Sequence, residues 1–217
     1  MKQVSKQLRI SEIFHSLQGE STTVGLPTVF IRLTGCPLRC QYCDTAYAFS
    51  GGDLIDISSI INKVASYECQ YICVTGGEPL AQQGCHELLQ QLCELGYQVS
   101  LETSGARDIS QVDNRVMVVM DLKTPGSLET DKNLFTNIDY LKSIDQIKFV
   151  LCNRDDYVWA QQIMVQYRLP EKVQVLFSPS WQELNPTHLA DWIVQDRLPV
   201  RFQLQLHKIL WNDAPGH

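Results

Sequence analysis

Val29-Phe30-Ile31-Arg32-Leu33 runs through Thr34 and Gly35 into Cys36-Pro37-Leu38-Arg39-Cys40-Gln41-Tyr42-Cys43. The opening run is short and mostly apolar, as a buried parallel strand is, and it delivers three cysteines at its carboxyl end. Thiols so tightly spaced can hold an iron–sulfur cubane by three corners, leaving the fourth iron open for chemistry. A cluster that only carries electrons is normally held by four cysteines. Here the run lacks that fourth ligand, and none of Cys69, Cys73, Cys85, Cys93 and Cys152 forms a Cys-x-x-Cys pair. Zinc needs a fourth cysteine or histidine at ligand spacing, and the nearest downstream histidine, His86, lies in an apolar periodic segment. A thioredoxin-like pair at Cys40 and Cys43 leaves Cys36 idle.

Working outward, the same kind of strand recurs at Tyr71–Thr75, Gln98–Glu102, Val116–Asp121, Gln146–Leu151, Val173–Phe177 and Arg201–Gln205. Helical stripes fall between them: Ile57, Ile60, Ile61, Val64 and Ala65; then Leu88, Leu89, Leu92 and Leu95, ending at Gly96; then Trp159, Ala160, Ile163 and Met164. Asn185-Pro186 starts a fourth helix, with a cap residue ahead of a proline at the first helical position. These large apolar residues are core. Strands alternating with helices imply a parallel sheet, and too few are present to close an eight-stranded barrel. The fold class expected is α/β: an open, partial (β/α) barrel of six or seven mostly parallel strands. It is expected as a single domain over residues 1–217, without internal repeats or a linker. Chemistry in such barrels collects at the carboxyl ends of the strands. Gly76-Gly77-Glu78, Glu102-Thr103-Ser104-Gly105, Asp121-Leu122-Lys123 and Ser178 all stand there.

The chain has 217 residues, 44% of them hydrophobic, enough for a sizeable core. No stretch approaches the roughly 20 apolar residues that span a bilayer, and the N-terminus lacks the apolar core of a signal peptide. A cytoplasmic location is expected, and it suits eight cysteines that should stay reduced. A formal charge of −6 and the lack of a Lys/Arg cluster argue against duplex nucleic acid as direct substrate. A small-molecule substrate is expected instead.

Two features need weighing on their own. Paired glycines after a strand let backbone approach a ligand closely, and Glu78 beside them suits an ammonium. Alone, however, Thr75-Gly76-Gly77-Glu78-Pro79 reads as an ordinary strand-to-helix turn. Arg32 stands between apolar neighbours in a strand that should be buried, where an unpaired guanidinium is costly. It needs an anion, either a core glutamate or a substrate carboxylate gripped by both arms of the fork.

The Cys-x3-Cys-x2-Cys spacing, with Tyr42 before the last cysteine, resembles the signature of the radical S-adenosylmethionine superfamily. That resemblance implies a 4Fe–4S cluster on Cys36, Cys40 and Cys43, S-adenosylmethionine at the open iron, and a 5′-deoxyadenosyl radical that abstracts a substrate hydrogen. The protein's share is positioning and exclusion of competing reactions. Gly76-Gly77-Glu78 then resembles the superfamily element that meets the amino group of the methionine moiety. A narrower resemblance, to the 7-carboxy-7-deazaguanine synthases of queuosine and deazapurine biosynthesis, extends over nearly the whole chain. It rests on Leu17-Gln18-Gly19-Glu20, Phe30-Ile31-Arg32-Leu33, Gly35-Cys36 through Cys43-Asp44-Thr45, Gly76-Gly77-Glu78-Pro79, Glu102-Thr103-Ser104-Gly105, Asp121-Leu122-Lys123 and Gln205-Leu206-His207-Lys208.

The narrower resemblance implies conversion of 6-carboxy-5,6,7,8-tetrahydropterin to 7-carboxy-7-deazaguanine with loss of ammonia, use of magnesium, an electron donor of unidentified nature, and a homodimer. It implies that Arg32 holds the substrate carboxylate, that Leu17, Gln18 and Gly19 line the pterin pocket, and that Glu20 and Thr103 offer it polar contacts. Thr45 becomes the magnesium ligand. Tyr42, Asp44, Gly76, Gly77, Glu78, Gly105, Asp121, Lys123 and Ser178 become the cofactor-facing set, and the tail Trp211–His217 is placed within reach of substrate. Ser21 departs from the family pattern, which continues Gln-Gly-Glu with glycine, and His15 reads as a packed or hydrogen-bonded histidine. Glycyl-radical activases share the cysteine spacing but follow it with His-Asn rather than Asp44-Thr45. A zinc-stabilised binding module is the alternative from outside the enzymes.

Overall fold

The computed structural model describes residues 6–212 together with 214 and 216. Among them one nine-stranded sheet runs through the molecule. Its strands are β1 (Gln7–Leu17), β2 (Pro27–Leu33), β3 (Asp53–Asp56), β4 (Tyr71–Gly76), β5 (Gln98–Thr103), β6 (Met117–Asp121), β7 (Gln146–Leu151), β8 (Gln174–Pro179) and β9 (Arg201–Phe202). Their order is β3-β1-β2-β4-β5-β6-β7-β8-β9. From β2 to β9 every neighbouring pair is parallel, whereas β1 runs antiparallel to both β2 and β3. The parallel part is the open, partial barrel that the alternation of strands and helices implies. The described helices are α1 (Ile57–Ala65), α2 (Cys85–Glu94), α3 (Arg154–Tyr167), α4 (Leu169–Lys172), α5 (Pro186–Asp196) and α6 (Leu206–Trp211), and none is long and apolar enough to cross a membrane.

Local chemistry sets these boundaries. Asn185 accepts a hydrogen bond from Thr187 N–H at 2.9 Å with Pro186 at the first helical position, so α5 starts as its sequence indicates. Asn153 does the same for α3, accepting from Asp156 N–H at 3.0 Å. Two connections break the alternation. Between β5 and β6 the chain is irregular, and between β6 and β7 it makes only short 3-10 turns, at Pro125–Ser127, Thr130–Lys132 and Phe135–Tyr140. The last strand is shorter than its apolar run suggests.

Side chains alternate across a strand, and here the two faces differ in chemistry. On β2, Val29, Ile31 and Leu33 are fully buried with the apolar faces of α1 and α2 in one core. Phe30 and Arg32 look the other way. Register carries the same concave face across the sheet, with Arg32 beside Thr75 and Asp121 beside Lys148. The loop between β1 and β2 folds into that concavity and is pinned from far along the chain. Ser21 N–H donates to Gln203 Oε1 at 2.6 Å, and Thr22 N–H to Gln146 Oε1 at 3.0 Å.

Candidate active site

A cavity of about 350 Å³ opens on the concave face. Leu17, Gln18, Gly19, Glu20, Arg32, Cys36, Cys40, Tyr42, Cys43, Asp44, Thr45, Gly76, Gly77, Thr103, Asp121 and Lys123 all line it. Glu78, Gly105 and Ser178 are not on its wall, although Glu78 follows Gly77, Gly105 follows Ser104 and Ser178 pairs with Val150 across the sheet, and those three partners line it.

The cysteine loop is shaped by the end of β4. Gly77 N–H donates to Leu33 O at 3.1 Å and Glu78 N–H to Gly35 O at 2.8 Å, which lays β4 against the start of the loop. A Cβ on Gly77 would lie 2.3 Å from Gly35 O and 2.8 Å from Cys36 Cβ. Glycine is therefore required there by the loop's own backbone. Cys36, Cys40 and Cys43 are free and half-buried. Burial pushes all three thiols up, Cys40 to about 11, while the Lys123 ammonium opposes the rise. Such thiols stay protonated at neutral pH unless a metal replaces the proton. Three sulfurs on one cavity wall fit a cluster held by three corners. Among the described residues no group of three His, Cys, Asp or Glu side chains is arranged around a single ion.

Beside the loop lies a chain of buried opposite charges. Lys148 Nζ is 2.8 Å from Glu20 Oε2 and 3.8 Å from Asp121 Oδ2, and Asp121 Oδ2 accepts from Lys123 Nζ at 2.9 Å. Burial alone would raise the Glu20 carboxyl and lower the Lys148 ammonium; their contact reverses both, so both stay charged. Lys123 is likewise held well above the ordinary lysine range by Asp121, against its burial. Asp44, against its own burial, is held far below the carboxylate range by Lys208, whose Nζ lies 2.7 Å from its Oδ2. Thr45 Oγ1 donates to the other Asp44 oxygen at 2.8 Å, which leaves the Thr45 oxygen its lone pairs for a cation.

Arg32 finds the core glutamate that its buried strand demands. Its Nε donates to Glu12 Oε1 at 2.7 Å, directly across the β1–β2 register, and Tyr47 Oη donates to the same oxygen at 2.7 Å. The guanidinium also lies 5.8 Å from the Phe14 ring and 5.9 Å from the Tyr47 ring. Among the described residues its Nη1 and Nη2 have no hydrogen-bond partner, and the side chain lines the cavity. The two readings of Arg32 are thus compatible, since Glu12 takes one edge of the fork and leaves the other.

Unfilled acceptors mark where a ligand belongs. Glu20 Oε1, Tyr42 Oη and Asp121 Oδ1 are buried without a hydrogen-bond partner among the described residues, and all three residues line the cavity. Buried polar atoms are rarely left so. Ser178 Oγ is a fourth orphan, at the end of β8. Glu78 is the opposite case. Fully buried, it accepts from Thr103 Oγ1 at 2.9 Å, Ser104 N–H at 2.7 Å, Ser104 Oγ, and Leu80 N–H at 3.0 Å. It holds the β5 end in place from behind the wall.

The chain's end closes one side. Leu206 N–H donates to Gly19 O at 3.0 Å, and a Cβ on Gly19 would lie 2.2 Å from His207 Nδ1. Gln205, His207, Lys208, Ala214 and Gly216 reach the cavity. Asp213, Pro215 and His217 of the tail lie outside the described residues. Sequence reasoning missed Lys148, Glu12 and Tyr47. Lys148 carries the signal that singled out Arg32, a cation inside a buried apolar strand.

Comparison with known proteins agrees with this geometry. Residues 30–122, from β2 through the cysteine loop to the end of β6, match the radical SAM superfamily. The 7-carboxy-7-deazaguanine synthase of Chlorobaculum tepidum is 41% identical over 213 residues, covering 96% of this chain and 97% of that one. The protein of the same name from Koribacter versatilis is 38% identical over 222 residues, covering 94% and 97%. Among solved structures, QueE from Escherichia coli has the same fold, with a TM-score of 0.76 at 20% identity over 93% of this chain and 95% of that chain. A three-cysteine loop on a partial barrel, a cavity with unfilled acceptors and end-to-end similarity at this level converge on one assignment: the chain belongs to the 7-carboxy-7-deazaguanine synthase family of radical SAM enzymes.

Proposed function

We propose that this enzyme converts 6-carboxy-5,6,7,8-tetrahydropterin to 7-carboxy-7-deazaguanine, a ring contraction that expels ammonia and involves no net oxidation. The observation that carries the reading is that one cavity joins the three-cysteine loop to Arg32 and Glu20. Cys36, Cys40 and Cys43 would hold a 4Fe–4S cluster. When bound, that cluster and S-adenosylmethionine would supply the radical that removes hydrogen from the carboxylate-bearing carbon of the pterin and starts the rearrangement.

The chain's own residues do the rest. Arg32, held in plane by Glu12, grips the substrate carboxylate with the remaining edge of its guanidinium. Glu20 Oε1 accepts from the N–H groups of the aminopyrimidinone edge, Thr103 adds a hydroxyl, and Leu17, Gln18 and Gly19 form the wall. Backbone at Gly76 and Gly77, with Tyr42, Asp44, Asp121 and Lys123, faces S-adenosylmethionine. Glu78 and Gly105 contribute by holding the loops that do so, and Ser178 offers its unpartnered Oγ on the cofactor side. Thr45 is the proposed magnesium ligand, one protein oxygen with water and substrate completing the shell. We further propose a single domain, a cytoplasmic homodimer and a separate electron donor.

The test is anaerobic reconstitution followed by assay with reductant, S-adenosylmethionine, magnesium and the carboxytetrahydropterin, with products read by mass spectrometry. The expected product is lighter than the substrate by one ammonia and co-migrates with authentic 7-carboxy-7-deazaguanine. Formation of 5′-deoxyadenosine without that product would keep the radical chemistry and remove the pterin.

A further inference from the structure

Lys148 enters the cavity from β7 and meets Glu20, which a loop offers from 128 residues away in sequence. The backbone of that loop is fastened at Ser21 and Thr22, yet among the described residues the carboxylate of Glu20 has one hydrogen-bond partner, the Lys148 ammonium. Both side chains are about nine-tenths buried. The contact engages Oε2 and leaves Oε1 buried without a partner, in a residue that lines the cavity. A carboxylate on a loop has several rotamers available. One that must meet two N–H donors of a planar heterocycle needs its plane fixed before the ligand arrives.

We infer that Lys148 is a positioning residue for the substrate: it fixes the Glu20 carboxylate so that Oε1 faces the N–H donors of the pterin's aminopyrimidinone edge. This rests on the reading of Glu20 as a pterin contact. Charge makes the lysine necessary as well as convenient. The charged and titratable groups that act on Glu20 are Lys148 from β7, Asp44 from the cysteine loop and His207 from α6, while Asp121 from β6 and Glu102 from β5 act on Lys148. Without Lys148, Glu20 would be buried with the Asp44 carboxylate nearby and no cation bonded to it. It would then take up a proton and present a donor where the pterin edge also presents donors. The lysine acts through Glu20 and makes no contact of its own with the pterin edge.

The test is anaerobic calorimetry of the reconstituted holoenzyme with S-adenosylmethionine and magnesium but no reductant, so that the carboxytetrahydropterin binds without turnover. Lys148→Met is expected to weaken pterin binding by about 30-fold, as loss of a charge-assisted hydrogen bond does. Glu20→Gln should weaken it similarly, with the affinity for S-adenosylmethionine changed by less than about 3-fold; in Lys148→Met, whose ammonium lies 3.8 Å from Asp121 in the wild type, that affinity should fall by no more than about 5-fold, well short of the pterin loss. The double variant Glu20→Gln/Lys148→Met leaves no half of the pair charged and unpaired, so it is the form to use if Lys148→Met does not fold. It should bind the pterin within about 3-fold of Glu20→Gln alone, because residues acting as a unit are not additive. Wild-type pterin affinity in Lys148→Met, a further loss of about 10-fold in the double variant, or equal losses for both ligands would overturn the role of Lys148 alone. Failure of the wild type itself to bind the pterin would overturn this inference and the functional reading together.

Discussion

Two corners of the molecule bury a glutamate, and they treat it in opposite ways. Behind the end of β4, Glu78 is saturated by hydroxyl and backbone donors from Thr103, Ser104 and Leu80 and has no surface on the cavity. In the β1–β2 loop, Glu20, which lines the cavity, gives one oxygen to Lys148 and leaves the other buried without a partner. Burial is similar; satisfaction is not. A carboxylate whose every lone pair is answered by protein is part of the frame, whereas one left half answered is waiting for a ligand. The same contrast runs through the arginine and glycine positions. Arg32 has one edge engaged by Glu12, while Gly76 is packed against Leu33 at the end of β2 and Gly77 against Gly35 and Cys36, and both also line the cavity.

The comparison breaks if Glu78 behaves as a ligand contact. Glu78→Ala leaves buried donors unanswered and is expected to cost about 3 kcal/mol of stability, or roughly 6–12 °C in melting temperature for a chain of this size, as differential scanning calorimetry would read. Were the protein to melt normally but lose only ligand affinity, the frame assignment would fail. Glu20→Gln should do the reverse, raising the pterin KM by about 30-fold while the melting temperature moves by no more than about 3 °C.

Smaller effects sharpen the contrast. Arg32→Lys keeps the charge and the reach toward Glu12 but loses the fork, and the pterin KM should rise about 10-fold with the KM for S-adenosylmethionine unchanged. Ser21 holds a left-handed backbone, φ 68°, next to Glu20. Ser21→Gly relieves that strain and should add about 0.5–1 kcal/mol, a rise of about 1–4 °C in melting temperature. An unchanged or lower melting temperature would mean that the Ser21 Oγ···Thr23 Oγ1 contact of 2.8 Å outweighs the strain.

Much of the frame was legible in the residues. The parallel strands announce themselves as short apolar runs, and Asn185-Pro186 starts α5 where capping chemistry puts it. Strand β1 escaped because its alternation changes phase. Leu8 and Ile10 are buried, but a register shift between Ile10 and Glu12 moves the pattern to the other face. β3 is four residues long and half exposed, too short to carry a period. In the site, most of the residues singled out at strand ends line one cavity. What sequence cannot express is which polar atoms are already answered. Glu78 and Glu20 look alike as letters, and only their hydrogen bonds separate them. Lys148 was readable in principle, by the argument applied to Arg32, but a lone lysine in an apolar strand gives no hint of which carboxylate it meets.

The central claim is that one cavity holds the pterin's carboxylate-bearing carbon against the cysteine loop. Its most direct test is turnover of substrate carrying deuterium at that carbon, with the deuterium content of the released 5′-deoxyadenosine and of S-adenosylmethionine read by mass spectrometry. The account predicts that deuterium passes from the pterin into the adenosyl group. Unlabelled adenosyl products formed alongside 7-carboxy-7-deazaguanine would contradict it, because Arg32 and Glu20 would then be holding the pterin in some other orientation.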